Sequence, residues 1–224
     1  MSQHRSAAGI PADVDTLMLD MDGTILDLAY DNFIWLEQVP SAYAARHELQ
    51  VDAARKILFD WFGSKRGTLD WYCLDHWSER LGLDVVALHR EHRDRIVYLP
   101  GARELLEVAA GSDLRVLLTT NSHPSTLALK DEVTGLSQYF DGIYHAHALG
   151  FPKEQQSYWR ALAERVDFDP DRALFIDDTA SVLGGALEYG IGHLLQIRRP
   201  DSRLAPRENL RYESIDSLAD LIEG

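Results

Sequence analysis

Thr16–Thr24 reads TLMLDMDGT, and the rest of the chain is organised around it. Leu17-Met18-Leu19 is a short apolar run of the kind that makes a buried strand. It stops at two aspartates one residue apart, Asp20 and Asp22, and Gly23 then lets the chain turn. In a strand, residues two apart point to the same side, so a simple extension aims both carboxylates into one small space. Two unit charges about 4 Å apart repel by about 1 kcal/mol in water and about 4 kcal/mol at an effective dielectric of about 20. A core strand that ends this way implies a nearby cation.

The chain around this stretch has 224 residues, enough for one large domain or a core with a sizeable insertion. Apolar residues make up 46%, which excludes a disordered chain. A formal net charge of −14 argues against nucleic acids and anionic membrane surfaces as partners. If the substrate is itself an anion, positive charge has to be concentrated locally. The single cysteine, Cys73, excludes an internal disulfide framework and a cysteine-rich zinc site. No secretion signal and no membrane-length apolar run is visible, so the expectation is a soluble, cytoplasmic protein.

Met1–Ala12 reads as a loose tail. Residues 28–99 carry no convincing strand, and helical spacing recurs instead. An early helix over Asn32–Glu48 is interrupted by Pro40, Val51–Phe62 places Ala54, Ile57, Leu58, Trp61 and Phe62 on one face, and Leu69–Leu81 forms another helix. From Pro100 strand and helix alternate. Helices are expected over Ala102–Ala110, from Pro124, over Glu154–Val166, after Asp178 and over Ser217–Ile222. Strands are expected over Arg115–Thr120, Gly142–Ala146, Ala173–Asp178 and His193–Ile197. This predicts an α/β fold: a Rossmann-like, doubly wound parallel sheet with helices on both faces, and an inserted all-helical segment. The core is residues 1–27 plus 100–224, and the helical cap is residues 28–99.

Ligands of such sheets bind beyond the carboxyl ends of the strands. The three best strands carry their polar residues at that end: Asp20 and Asp22, Thr120 and Asn121, Asp177 and Asp178. Four carboxylates with oxygen ligands alone favour Mg2+. Zinc is disfavoured, since no histidine or cysteine cluster sits at ligand spacing. His145 and His147 alternate along an expected strand and read as packing residues in preference to ligands. An aspartate beside Mg2+ can attack phosphorus and form an aspartyl phosphate that water hydrolyses. A second aspartate can protonate the leaving oxygen and later take a proton from water. Thr120 and the amides opening the Pro124 helix suit a phosphoryl group, and Lys153 in GFPKE supplies a cation.

LDMDGT, the strand ending TTN, the lysine of GFPK and the strand ending IDD, in that order, resemble the four motifs of the haloacid dehalogenase superfamily. The resemblance covers nearly the whole chain and puts residues 28–99 where that superfamily carries a helical cap. It implies Asp20 as nucleophile and Asp22 as acid/base, with the Asp22 backbone carbonyl also on Mg2+. It further implies Thr120, Asn121 and Lys153 at the phosphate, Asp178 as a direct metal ligand and Asp177 as a direct or water-mediated one. Asp22 points to phosphatases, because the metal-free dehalogenases of the family lack it. Two positions depart from the pattern. Val182 stands where many members have an acid, for which Asp177 is expected to compensate as ligand, and Glu154 replaces a proline and reads as a first-turn acid on a helix dipole.

LDLAYDNFIW, TLDWYCLDHWSERLGLD and GFPKEQQSYW further resemble bacterial GMP/IMP nucleotidases of this superfamily. This implies hydrolysis of purine nucleoside 5′-monophosphates. Phe33, Trp71 and Tyr72 are candidates to stack a base, against the competing expectation that they form the cap's own core. Asp31 and Asn32 are candidates to face the substrate, and Lys65-Arg66 reads as a solvated loop. The alternatives are a phosphatase or phosphomutase for another small metabolite, such as a sugar phosphate or phosphoglycolate, and a non-catalytic binding protein on the same fold.

Overall fold

The computed structural model describes residues 9–222. Most of the expected tail, residues 1–8, lies outside them. Gly9–Ala12 is not loose: the Gly9 N–H donates to the Leu221 carbonyl at 3.3 Å, and Ile10 packs on the core.

Six strands form one parallel sheet: β1 Thr16–Leu19, β2 Arg115–Thr120, β3 Gly142–His145, β4 Ala173–Asp177, β5 His193–Ile197 and β6 Ser214–Ile215. Their order is β3-β2-β1-β4-β5-β6. β1 lies in the middle, with Leu19 opposite Leu118 on one side and Ile176 on the other. A parallel sheet is covered on both faces, and the strand residues divide accordingly. Leu17, Leu19, Val116, Leu118, Leu174 and Ile176 enter one apolar cluster, whereas Met18, Leu117, Ala173 and Phe175 enter the other. The first cluster receives Leu105, Leu106 and Ala109 from helix Ala102–Ala110. The second receives Tyr158, Trp159 and Leu162 from Gln156–Ala163, and Val182, Leu183 and Ala186 from Ala180–Tyr189. The chain winds outward from β1 to β3, then crosses back to β4, so the crevice at the carboxyl ends of β1 and β4 is the switch point.

Between β1 and β2 every element is helical. Its entry and exit run side by side: the Asp27 N–H donates to the Val97 carbonyl and the Leu99 N–H to the Ile25 carbonyl, both at 2.9 Å. The early helix is not interrupted at Pro40. Ala29–Phe33, Ile34–Gln38 and Val39–Arg46 run on without a gap, and the middle segment is a π-helix. Pro40 has no N–H and its ring crowds the carbonyl four residues back, and the wider turn just before it, with the Val39 N–H reaching the Ile34 carbonyl, absorbs both. The expected helix Leu69–Leu81 is also divided, into a 3-10 turn Leu69–Tyr72 and a helix Leu74–Leu81 joined by extended Cys73. Trp35, Phe62, Trp71 and Trp77 pack edge to face with centroids 4.8 to 6.4 Å apart, giving the segment its aromatic centre. β3 stops at His145, and Ala146–Leu149 is a helical turn. The closing helix is a 3-10 turn, Leu218–Leu221. β6 has two residues, too few to leave a period in the sequence. Among the described residues, no helix is long and apolar enough to cross a membrane.

Candidate active site

The Asp20 N–H extends the ladder by one step, donating to the Ile176 carbonyl at 3.0 Å. The chain then stops being extended. The Ile25 and Leu26 N–H groups both donate to the Met21 carbonyl, and Gly23 sits at φ +90°, a conformation that favours glycine. A Cβ on Gly23 would stand 2.9 Å from the Asp178 carboxyl carbon, so the turn lies against the β4 acids. The bend separates the carboxylates that a straight strand would have aimed together.

Asp20 meets Lys153, whose Nζ donates to Asp20 at 2.5 Å, to Asp177 at 2.7 Å and to the Thr119 carbonyl at 3.0 Å. Asp22 turns to a second buried lysine. Lys130 Nζ donates to Asp22 at 2.6 Å and to both oxygens of Asp31 at 2.9 and 2.8 Å. Asp178 accepts from Arg207 at 2.9 Å and from the Thr179 hydroxyl at 3.0 Å, and Asp177 also accepts from the Thr179 N–H at 2.7 Å. Oxygens of Asp20, Asp177 and Asp178 lie within 4.8 Å of one another, and the Asp22 carboxylate is not in that group.

Around the crevice five carboxylates, Asp20, Asp22, Asp31, Asp177 and Asp178, share three cations, Lys130, Lys153 and Arg207. The uncompensated charge is that of one divalent cation. Burial and the neighbouring acids raise the carboxyls despite the lysines and the arginine: Asp20 is pushed up to about 8, Asp177 and Asp178 to about 6, and Asp22 upward. Burial opposes the charge on Lys153 and Lys130, but their carboxylate partners outweigh it and hold both protonated. Mg2+ fits this oxygen-only set.

Thr120 is buried at the end of β2, and its oxygen accepts from the Ser122 N–H at 3.0 Å, leaving the hydroxyl proton free to donate. Both ends of the Asn121 side-chain amide are occupied: its oxygen accepts from the Lys153 N–H at 2.9 Å, and its nitrogen donates to Glu154 at 3.0 Å. Glu154 is therefore not simply a first-turn acid. It precedes helix Gln156–Ala163 and also accepts from the Tyr72 hydroxyl at 2.7 Å, tying the helical segment to the lysine loop.

The five helical-segment candidates are not gathered in one place. Tyr72 reaches Glu154, and Asp31 reaches Lys130. Asn32 donates to Asp201 at 2.8 Å, on the loop after β5. Phe33 is packed edge-on against His92 at 5.1 Å, with the Arg95 guanidinium 3.8 Å from its centre. Trp71 lies against Phe62 and Arg66. His145 and His147 do not alternate along a strand: His145 ends β3, His147 lies in the turn beyond, and ring atoms of His147 and His123 come together with the Cys73 sulfur. Sequence reading missed Lys130, Arg207 and this cluster. Lys130 left one signal, a position four residues after Thr126 on the buried face of Pro124–Thr134.

Comparison with known proteins agrees with this fold. The haloacid dehalogenase-like hydrolase family matches residues 14–190, and the chain belongs to that family. It is 40% identical over 210 residues to the GMP/IMP nucleotidase YrfG of Escherichia coli (strain K12), spanning 94% of this chain and 95% of that one. Among solved structures, a haloacid dehalogenase phosphatase from Thermococcus onnurineus superposes with a TM-score of 0.77 at 22% identity, over 93% of this chain and 96% of that one. The L-2-haloacid dehalogenase of Xanthobacter autotrophicus does so with a TM-score of 0.62 at 18% identity, over the same shares. At these identities the superpositions speak for the fold.

Proposed function

We propose that the chain is a Mg2+-dependent phosphomonoesterase acting through an aspartyl phosphate on Asp20, with purine nucleoside 5′-monophosphates as substrates. The observation that carries the chemistry is the Asp20 carboxylate, held by Lys153 at the focus of Asp177 and Asp178 in a crevice short of positive charge. The 40% identity to a GMP/IMP nucleotidase supports the substrate class.

In the first half-reaction an Asp20 oxygen bonds to phosphorus as the ester P–O bond breaks, and Asp22 gives its proton to the departing nucleoside oxygen. In the second, Asp22 takes a proton from water as that water attacks phosphorus and frees Asp20. The raised proton affinity of Asp22 suits the acid role, and Lys130 holds the carboxylate in place. Lys153 and the Thr120 hydroxyl hold phosphoryl oxygens, and Asn121 fixes the Lys153 loop. Asp20, Asp177, Asp178 and the Asp22 carbonyl would hold Mg2+, which supplies charge neutralisation and polarises the phosphoryl group. Asp177, already engaged by Lys153 and Thr179, suits a water-mediated contact.

Residues 28–99 act as a cap over residues 1–27 and 100–224, with Asp31 and Tyr72 at the seam and Trp71 beside it. A nucleotide substrate fits a cytoplasmic location. The test is phosphate release from a panel of monoesters with and without Mg2+. GMP and IMP turning over faster than sugar phosphates and phosphoglycolate is the expected result. Equal or faster release from the latter would replace the substrate assignment, and isomerised sugar phosphate would mark a mutase.

A further inference from the structure

A second cluster of metal-ligating side chains lies outside the acidic crevice. Cys73, in the helical segment, and His123 and His147, in the sheet domain, offer one ligand atom each within 4.8 Å of one another. We propose that these three residues form a site for a soft divalent cation of the Zn2+ class, fastening the helical segment to the sheet domain.

Four observations support it. Both ring nitrogens of His147 are buried with no hydrogen-bond partner among the described residues, which is costly unless something else meets them. The His123 and His147 rings stand edge to face at 4.8 Å, close enough to converge on one ion. Burial lowers the proton affinity of both rings; His147 has a lone pair free, and His123 Nδ1, which accepts from the Ser125 N–H at 3.3 Å, would exchange that long bond for the ion. The Cys73 sulfur accepts from the His76 N–H at 3.4 Å at the start of helix Leu74–Leu81, which fixes the sulfur within reach of the two rings.

Ligands about 2.0–2.3 Å from a tetrahedral ion stand about 3.3–3.8 Å apart, so the three need close in by only about 1 Å. Asp75, 3.6 Å from His123 Nε2, is placed to orient that ring as a carboxylate orients a ligating histidine. One thiol, two imidazoles and an open fourth position suit Zn2+ or Co2+, whereas Mg2+ prefers oxygen. On binding, the thiol proton passes to solvent.

Co2+ titration of the full chain in excess Mg2+ tests this by absorption spectroscopy. One equivalent of Co2+ should give a thiolate-to-cobalt charge-transfer band that Zn2+ abolishes and Mg2+ does not. Cys73→Ser, close to isosteric, should remove the band, and His147→Ala should weaken Co2+ binding by about tenfold or more. Asp178→Asn should leave the band unchanged, separating this site from the acidic one. No band in the wild type, a band surviving Cys73→Ser, or one lost in Asp178→Asn would overturn the proposal.

Discussion

Removing the Lys130 ammonium leaves Asp22 and Asp31 buried around a missing charge. Breaking a buried ion pair by deleting one partner costs about 3–5 kcal/mol. Lys130→Met is expected to lower unfolding free energy by that order and to slow turnover, because Asp22 loses the group that positions it. Urea denaturation and steady-state rates check both, and unchanged stability would contradict the ion-pair reading. Mg2+ binding should depend on pH in a stated direction. Asp177 and Asp178 are pushed up to about 6 and Asp20 to about 8, and each must lose its proton to hold the ion directly or, for Asp177, through water. Affinity should therefore rise from pH 6 to 8, by up to about tenfold per pH unit for each carboxyl still protonated. Calorimetry in buffers of different ionisation enthalpy should find protons released, and a pH-independent affinity would count against the carboxylate set. Asp20, Asp177, Asp178 and Lys153 were legible because strand ends and one loop place them. Lys130 and Arg207 were not, because their partners lie far off in sequence and an isolated basic residue reads as solvated.

At the scale of elements, helix Val85–Glu91 buries His89 beneath Tyr30. The Tyr30 hydroxyl donates to the His89 carbonyl at 2.7 Å and lies 3.0 Å from Nδ1, so Nδ1 carries the ring proton. Burial, then the Lys130 charge, holds the ring down to about 3. In the unfolded chain it titrates near 6.5, so below that pH the unfolded state binds the extra proton. This group's stabilisation is complete above about 6.5 and is lost as pH falls toward 3. Between pH 6.5 and 4 the loss should amount to about 3 kcal/mol, seen as the slope that His89→Gln removes from wild-type stability. Equal slopes would show that the ring titrates normally. Gly101 opens helix Ala102–Ala110 at φ +74°, where a Cβ would stand 2.3 Å from the Ala219 backbone. Gly101→Ala should destabilise the fold by about 1–3 kcal/mol and loosen the closing turn, measurable as faster amide exchange at Leu218–Leu221. The helix–strand order was readable because period and apolar runs report burial. The π-turn before Pro40, the break at Cys73 and two-residue β6 were not, since each is decided by a single backbone bond or a distant neighbour.

Across the whole molecule, sequence order already placed three strand ends at one edge of a parallel sheet, and β1 lies between the other two. Sequence reading could not show what the inserted segment brings to that edge. Asp31 on Lys130, Tyr72 on Glu154 and Cys73 beside His123 all join residues more than about 45 positions apart, and no local pattern encodes such pairings. Tyr72→Phe removes the Glu154 bond, and with it part of what holds the segment against the lysine loop. It should raise KM for GMP severalfold with a smaller effect on kcat, while an unchanged KM would show that the bond is incidental. The proposed reaction turns on transfer of the phosphoryl group from a purine nucleotide to Asp20. Phosphate release from GMP with Mg2+ should therefore be measured on wild type and Asp20→Asn side by side. Ready turnover by the wild type with a loss of about a thousandfold or more in the variant is the expected result. A variant that turns over at the wild-type rate would contradict it.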